Sequence, residues 1–197
     1  MGANKYSLSF TTGAALILET VDVAALKCEL GDWPAVKAHV LNNNTFQSRT
    51  VSTLKKLYGE VSRRLQRLSD DELRLLAKGT ESQQRQLLWL ALCRRYSLIE
   101  DFSIEVLSHQ FEAARYVVTH DDYDAFFNAK AEWHDNLDGA STQTKSKARQ
   151  VLFKMLRECG LINDHDEIVR QQIGPAVLAL MKNNNSVGLN VFPGVEC

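Results

Sequence analysis

The sequence predicts a mainly α-helical protein, with an N-terminal helix-turn-helix-like bundle joined to a winged helix-turn-helix-like domain that carries a short β-hairpin. Three observations predict it. Apolar residues recur at three- and four-residue spacing along most of the chain, the period of one helix face. The clearest case lies between Ser141 and Gly160, where Ala148, Val151, Leu152, Met155, Leu156 and Cys159 form one stripe. Around that stretch the order of helix, β-branched scrap, helix, helix and a turn flanked by β-prone residues is that of a winged helix. The expected division is 1–96 for the bundle, 97–174 for the winged unit and 175–197 for a C-terminal helix and tail.

Taken in order, Lys5 to Phe10 reads as a short extended piece, with Tyr6, Leu8 and Phe10 alternating, able to cap an apolar edge or pair as a strand. Thr12 is placed to cap a helix running to about Glu29, with Leu16, Ile17, Val23 and Leu26 inward and Gly31 as its breaker. Asp32 and Pro34 open a second helix that ends at Asn42-Asn43-Asn44. The third is expected from about Gln47 to Leu68, its seam formed by Val51, Leu54, Tyr58, Val61, Leu65 and Leu68. Its outward face reads Arg49, Ser52, Lys56, Glu60, Arg63 and Arg67, with Lys55 and Arg64 at the sides. Six basic residues there oppose one acid. Gln47 to Thr50 would be the tip of a first helix-turn-helix-like unit, although such faces are also common in plain bundles.

Ser69 with Glu72 is a capping box for a brief helix ending near Gly79. Ser82 to Tyr96 is apolar nearly all round, so it belongs between the two halves, with Trp89 as core and Arg94-Arg95 suiting the helix dipole. Leu98 to Ala114 is helical, Tyr116 to Val118 is a β-branched scrap, and Thr119 with Asp122 opens a helix to about Ala131 with Tyr123, Phe126 and Phe127 inward. The link from Glu132 to Ala140 is longer than a standard helix-turn-helix turn. Ser141 or Thr142 caps the recognition helix and Gly160 ends it. Leu161-Ile162 and Glu167 to Arg170 then read as two strands around the polar tip Asn163 to Asp166. Pro175 begins a last helix, Ala176 to Lys182, ended by Asn183-Asn184-Asn185. Beyond Ser186 the chain reads as loose, with Val187, Leu189, Val191 and Phe192 able to dock or add an edge strand.

The recognition helix carries the chemistry. Opposite its apolar stripe lie Gln143, Lys147, Gln150, Lys154 and Arg157, flanked by Lys145 and Arg149, and no acid appears before Glu158. Amides and cations on such a face suit base edges in the major groove, while hydroxyls and ammonium groups suit phosphates. Gln143, Lys147 and Gln150 are expected to face bases. Thr142, Thr144, Lys145 and Arg149 are expected at phosphates, with His165 and Arg170 on the wing. Arg49, Ser52, Lys56, Arg63 and Arg67 would extend the footprint. The bland alternative is a solvated basic face.

Composition narrows the classes. At 197 residues, 45% apolar and net charge −1, the chain is globular and not polybasic. Its charge is segregated instead: Asp121, Asp122, Asp124, Glu132, Asp135 and Asp138 form an acidic run just before the basic helix. The four cysteines, Cys28, Cys93, Cys159 and Cys197, have no CxxC spacing, so no zinc site is expected. The first three fall in helices, where a thiol acts as a small hydrophobe, and a reducing cytoplasm is the simple reading. The longest apolar run, Leu87 to Cys93, falls far short of the roughly 20 residues that span a bilayer. His120-Asp121-Asp122 with Glu132-Trp133-His134-Asp135 could be imagined as a metal or nuclease cluster. Capping explains the aspartates, and core packing under the wing would explain Trp133. Neither G-x-x-x-x-G-K-[ST], G-x-G-x-x-G nor G-x-S-x-G occurs. No enzyme, cofactor or metal is expected.

Several stretches resemble one known family: Tyr6-Ser7-Leu8-Ser9-Phe10-Thr11-Thr12-Gly13, Gly31-Asp32-Trp33, Gln86-Leu87-Leu88-Trp89-Leu90-Ala91, Cys93-Arg94-Arg95-Tyr96, Phe126 to His134 and Val151 to Glu158. They are similar to the BrxA family of BREX (bacteriophage exclusion) defence systems, over nearly the whole chain up to about Met181. The resemblance implies a non-enzymatic, all-helical DNA-binding accessory of a multi-gene anti-phage locus, such as combine host-DNA methylation with a block on phage DNA replication. It also implies other BREX components as partners. The family has been likened to an RNA-binding antitermination factor too, and labelled an inner-membrane protein, which the composition contradicts. An RNA-binding helical module and a protein-protein scaffold are thus the alternatives to double-stranded DNA binding. Oligomeric state is not legible in the sequence.

Overall fold

The computed structural model describes residues 6–183 and 188–195. Lys5, Asn184, Asn185, Ser186, Val187 and Cys197, which figure in the expectations above, lie outside them. Among the described residues the elements are a 3₁₀ turn (Ser9–Thr12), α1 (Ile17–Leu30), α2 (Trp33–Asn43), α3 (Val51–Leu65), α4 (Asp70–Lys78) and α5 (Glu81–Arg95). There follow α6 (Ser97–Phe102), a π-helical segment (Ser103–Ser108), α7 (His109–Glu112), α8 (His120–Ala131), α9 (Asp135–Asp138), α10 (Thr142–Glu158), α11 (Pro175–Asn183) and a 3₁₀ turn (Leu189–Val191).

Most boundaries follow local chemistry. Asp32, Thr50, Ser69, Thr80, Thr119 and Ser141 each accept a backbone N–H of the first turn, and Ser69, Thr80 and Thr119 form complete capping boxes. Gly160 takes φ +76°, the left-handed conformation that lets the chain leave α10.

The core is one continuous cluster built around α5. Every residue from Gln86 to Cys93 is buried, and the helix packs on α1, α3, α4, α6 and α11. The segment expected to be loose docks over 188–195: Val191 and Phe192 are buried, and the Trp89 indole donates to the Val191 carbonyl at 3.0 Å.

Two boundaries depart from the sequence pattern. The first helix begins at Ile17, not after Thr12, because the Gly13, Ala14 and Ala15 carbonyls are taken by the Arg64 guanidinium at 3.2, 2.9 and 3.0 Å. The Ala15 N–H meanwhile donates to Glu158 at 2.7 Å. Backbone committed to those partners cannot be helical, and Leu16 absorbs the turn at φ +58°. The third helix begins at Val51, not near Gln47, because Asn44 and Ser48 exchange hydrogen bonds at 3.0 and 3.1 Å across a loop. Val51 therefore sits in the first turn, 63% exposed, outside the seam. Glu60 and Arg64, expected on or beside the outward face of α3, are fully buried as a pair at 3.1 Å. The Tyr96 hydroxyl also donates to Glu60.

The expected hairpin strands do not form among the described residues. Two isolated antiparallel bridges stand in their place, Ile162 with Ile168 and Val117 with Glu167. The tip is a side-chain turn: Asn163 Oδ1 accepts the His165 and Glu167 N–H groups, and Asp166 is left-handed. The outgoing arm then departs, since the Gln171 N–H goes to Pro193 and not to the facing arm.

Removing one side of a buried pair strands the other. Arg64→Met should therefore lower unfolding free energy by about 3–5 kcal/mol in urea titration, because it also orphans three carbonyls. Glu72 on α4 gives a pH-dependent counterpart. Burial alone would raise its carboxyl, but the bidentate Arg94 guanidinium at 2.8 and 2.9 Å and the Ser69 N–H hold it below its ordinary 4.5. Its contribution is full above pH 4.5 and is lost as pH falls through the lower folded value. The stability difference between wild type and Glu72→Gln should accordingly be largest near neutrality and shrink on acidification below pH 4.5.

Candidate nucleic-acid interface

α10 is built to show one face. Ala148, Val151, Leu152, Phe153, Met155 and Leu156 are buried, which fixes the rotation of the helix. Thr142, Gln143, Lys147, Gln150 and Lys154 then lie exposed along the opposite side. The Ser141 hydroxyl satisfies the Thr144 N–H at 3.2 Å, and no acid enters the first turn, so the positive end of the helix dipole faces solvent.

The cations on this helix are not equivalent. Lys147 has no ion-pair partner among the described residues, and Lys154 lies 3.6 Å from Glu158 while staying 64% exposed. Lys145 sits half-buried, its ammonium 5.6 Å from the centre of the Phe127 ring, a cation–π position. Arg149 is paired with Asp124 of α8, and Arg157 with Asp166 of the turn at 2.5 Å. Cross-helix neutralisation thus leaves Lys147 and Lys154 as the cations of the exposed row.

α8 braces this helix. Its capping box tethers Asp122, which also meets Arg115 at 3.2 Å. His120 stands edge-on to Phe153 with ring centres 4.7 Å apart. The link between the two is shaped by α9, whose Leu137 is buried and whose Asn136 amide donates to the Tyr6 carbonyl.

His165 is exposed at the tip of the turn between the bridges. Arg170 lies elsewhere, donating Nε to the Gly194 carbonyl at 3.1 Å. Arg49, Ser52, Lys56, Arg63 and Arg67 are all exposed on or beside α3, with Arg63 held 3.1 Å from buried Glu60.

The expected core role of Trp133 is not met. Its side chain is 81% exposed, because the turn after α8 sets the half-buried His134 edge-on against Tyr6 instead, ring centres 4.4 Å apart. Cys28, expected as a small buried hydrophobe, is exposed on α1, while burial pushes the Cys159 thiol up to about 12. No signal in the sequence marked Asp124 as the partner of Arg149, since pairing between helices leaves no periodic trace. Among the described residues no His, Cys, Asp and Glu side chains gather as metal ligands would, and no helix is long and apolar enough to cross a membrane.

Fold and site together define a mainly helical protein that presents cation-bearing polar helix faces. Comparison gives the family: the chain belongs to the BrxA family, whose model matches residues 4–185. A relative from Escherichia coli O9:H4 (strain HS), named BREX protein BrxA, is 24% identical over 151 residues, 77% of this chain and 71% of that protein. Another BREX protein BrxA, from Bacillus cereus (strain H3081.97), is 25% identical over 129 residues, 66% of this chain and 64% of its own length. The crystal structure of an uncharacterized protein from Magnetospirillum magneticum superposes with a TM-score of 0.81 at 18% identity, over 92% of this chain and 94% of that one. At that identity the likeness is one of fold.

Proposed function

We propose that this chain is a non-enzymatic, cytoplasmic accessory of a BREX anti-phage system and binds double-stranded DNA, with α8, α10 and the bridged turn acting as a winged helix-turn-helix within a unit spanning 97–174. The observation that carries the reading is the exposed row Gln143, Lys147, Gln150 and Lys154 on a helix whose other side is locked in the core. An α-helix of this kind fits the major groove, where Gln143, Lys147 and Gln150 reach base edges and Lys154 reaches phosphate. Thr142, Thr144 and Lys145 hold the flanking backbone, and His165 touches it from the turn. The exposed cations Arg49, Lys56, Arg63 and Arg67 beside Ser52 add a second contact. Membership of the BrxA family and the relatives' names support the defence context. Other components of that system are the expected protein partners.

With few free cations on α10, binding rests on a small number of phosphate contacts and has weak sequence preference. Lys147→Glu with Lys154→Glu should lower duplex affinity at low salt and reduce the slope of log K against log salt by about 0.9 for the phosphate contact of Lys154. Unchanged affinity in a gel shift, with the circular dichroism melt intact, would remove α10 from the interface. Asp124→Asn works in the opposite direction. It releases the Arg149 guanidinium, so affinity should rise and the slope steepen by about 0.9. Matched single strand and structured RNA complete the experiment: tighter RNA binding would favour an RNA-binding module over the DNA reading.

A further inference from the structure

Two further surfaces complement one another, one of them sharing Arg63 with the α3 contact proposed above. The first is an open groove of about 630 Å³ between α2 and α3. Trp33, Pro34, Tyr58 and Gly59 floor it, and Lys37, Lys55 and Arg63 stand at its rim. The Tyr58 hydroxyl is used internally, donating to the Trp33 carbonyl at 3.2 Å, so the floor presents carbon. No carboxylate lines the groove. Gly59 keeps it open: a Cβ there would meet only the Arg63 guanidinium, at 3.6 Å.

The second surface is Trp133. Its indole is 81% exposed, and the neighbouring Glu132, Asp135 and Asp138 are exposed too. These carboxylates repel a phosphate backbone, so the knob is ill suited to DNA. Its base is held firmly. His134 stands edge-on to Tyr6 and Asn136 donates to the Tyr6 carbonyl. The Tyr6 hydroxyl in turn donates to Asp101, which lies 3.2 Å from Lys130.

We propose that the Trp133 knob of one copy docks in the α2–α3 groove of a second copy. An exposed aromatic with three exposed carboxylates close to it in the chain meets an apolar floor lined by Lys37, Lys55 and the Glu60-paired Arg63. An indole offers roughly 150–250 Å² for burial and is a typical anchor of protein interfaces. Opposed charges at the rim set orientation and make the contact sensitive to salt. Knob and groove are different surfaces, so the contact is head-to-tail and extends into a ring or an open chain.

Sedimentation velocity on the full chain without nucleic acid, from micromolar to several hundred micromolar, tests this separately from the DNA reading. Wild type should associate with rising concentration, and less so at high salt. Trp133→Ala and Gly59→Met should each weaken association by about tenfold or more, with helicity unchanged. Gly59→Met fills the groove from a helical position that has room for a side chain. An equimolar mixture of the two variants retains one intact knob and one intact groove, and should stop at a dimer. The proposal is overturned by a wild-type monomer across the whole range at low salt, by association that Trp133→Ala weakens and Gly59→Met does not, or by a mixture that stays monomeric.

Discussion

One buried guanidinium organises the fold. Arg64, fully enclosed, donates to the carbonyls of Gly13, Ala14 and Ala15 and to Glu60, which also accepts from Tyr96. A charge taken out of water is tolerated only when its donors are met, and three successive carbonyls with a carboxylate meet four of the five donors of the planar fork. The constraint acts in both directions. It fixes the side chain of α3, and it keeps 13–15 out of the helix, which sets the start of α1. The free N–H of the same segment is then available to Glu158 at the far end of α10.

Much of the architecture could be read directly from the sequence, because it rests on interactions local in the chain. Ser69 with Glu72, Thr119 with Asp122 and Ser141 with Thr144 are caps spanning three residues, and the stripe from Ala148 to Cys159 is a helix period. The uniformly apolar stretch of α5 announced its burial, and Trp89 lies in the core as its neighbours implied. The exposed row on α10 was legible for the same reason: once the stripe is known, the opposite side follows from geometry.

What escaped the pattern depends on partners distant in sequence. Charged residues on α3 were assigned to solvent, yet Glu60 and Arg64 satisfy one another inside, and nothing in their spacing separates a buried pair from a surface one. The bridged turn has the β-prone residues of a hairpin, but the chain after Arg170 turns to Pro193 and leaves single bridges in place of strands. Trp133 was assigned inward on hydrophobicity alone. The adjoining ring of His134 occupies the place against Tyr6, and the indole is left in solvent.

The clasp at 13–15 also has a mechanical consequence. Its carbonyl edge is bolted to α3 and its amide edge to α10, so the two long basic helices share one rigid strut of three residues. Neither can pivot without straining a hydrogen bond to that segment. A ligand spanning both helices therefore encounters a caliper with a single setting, and must itself bend or twist to match it.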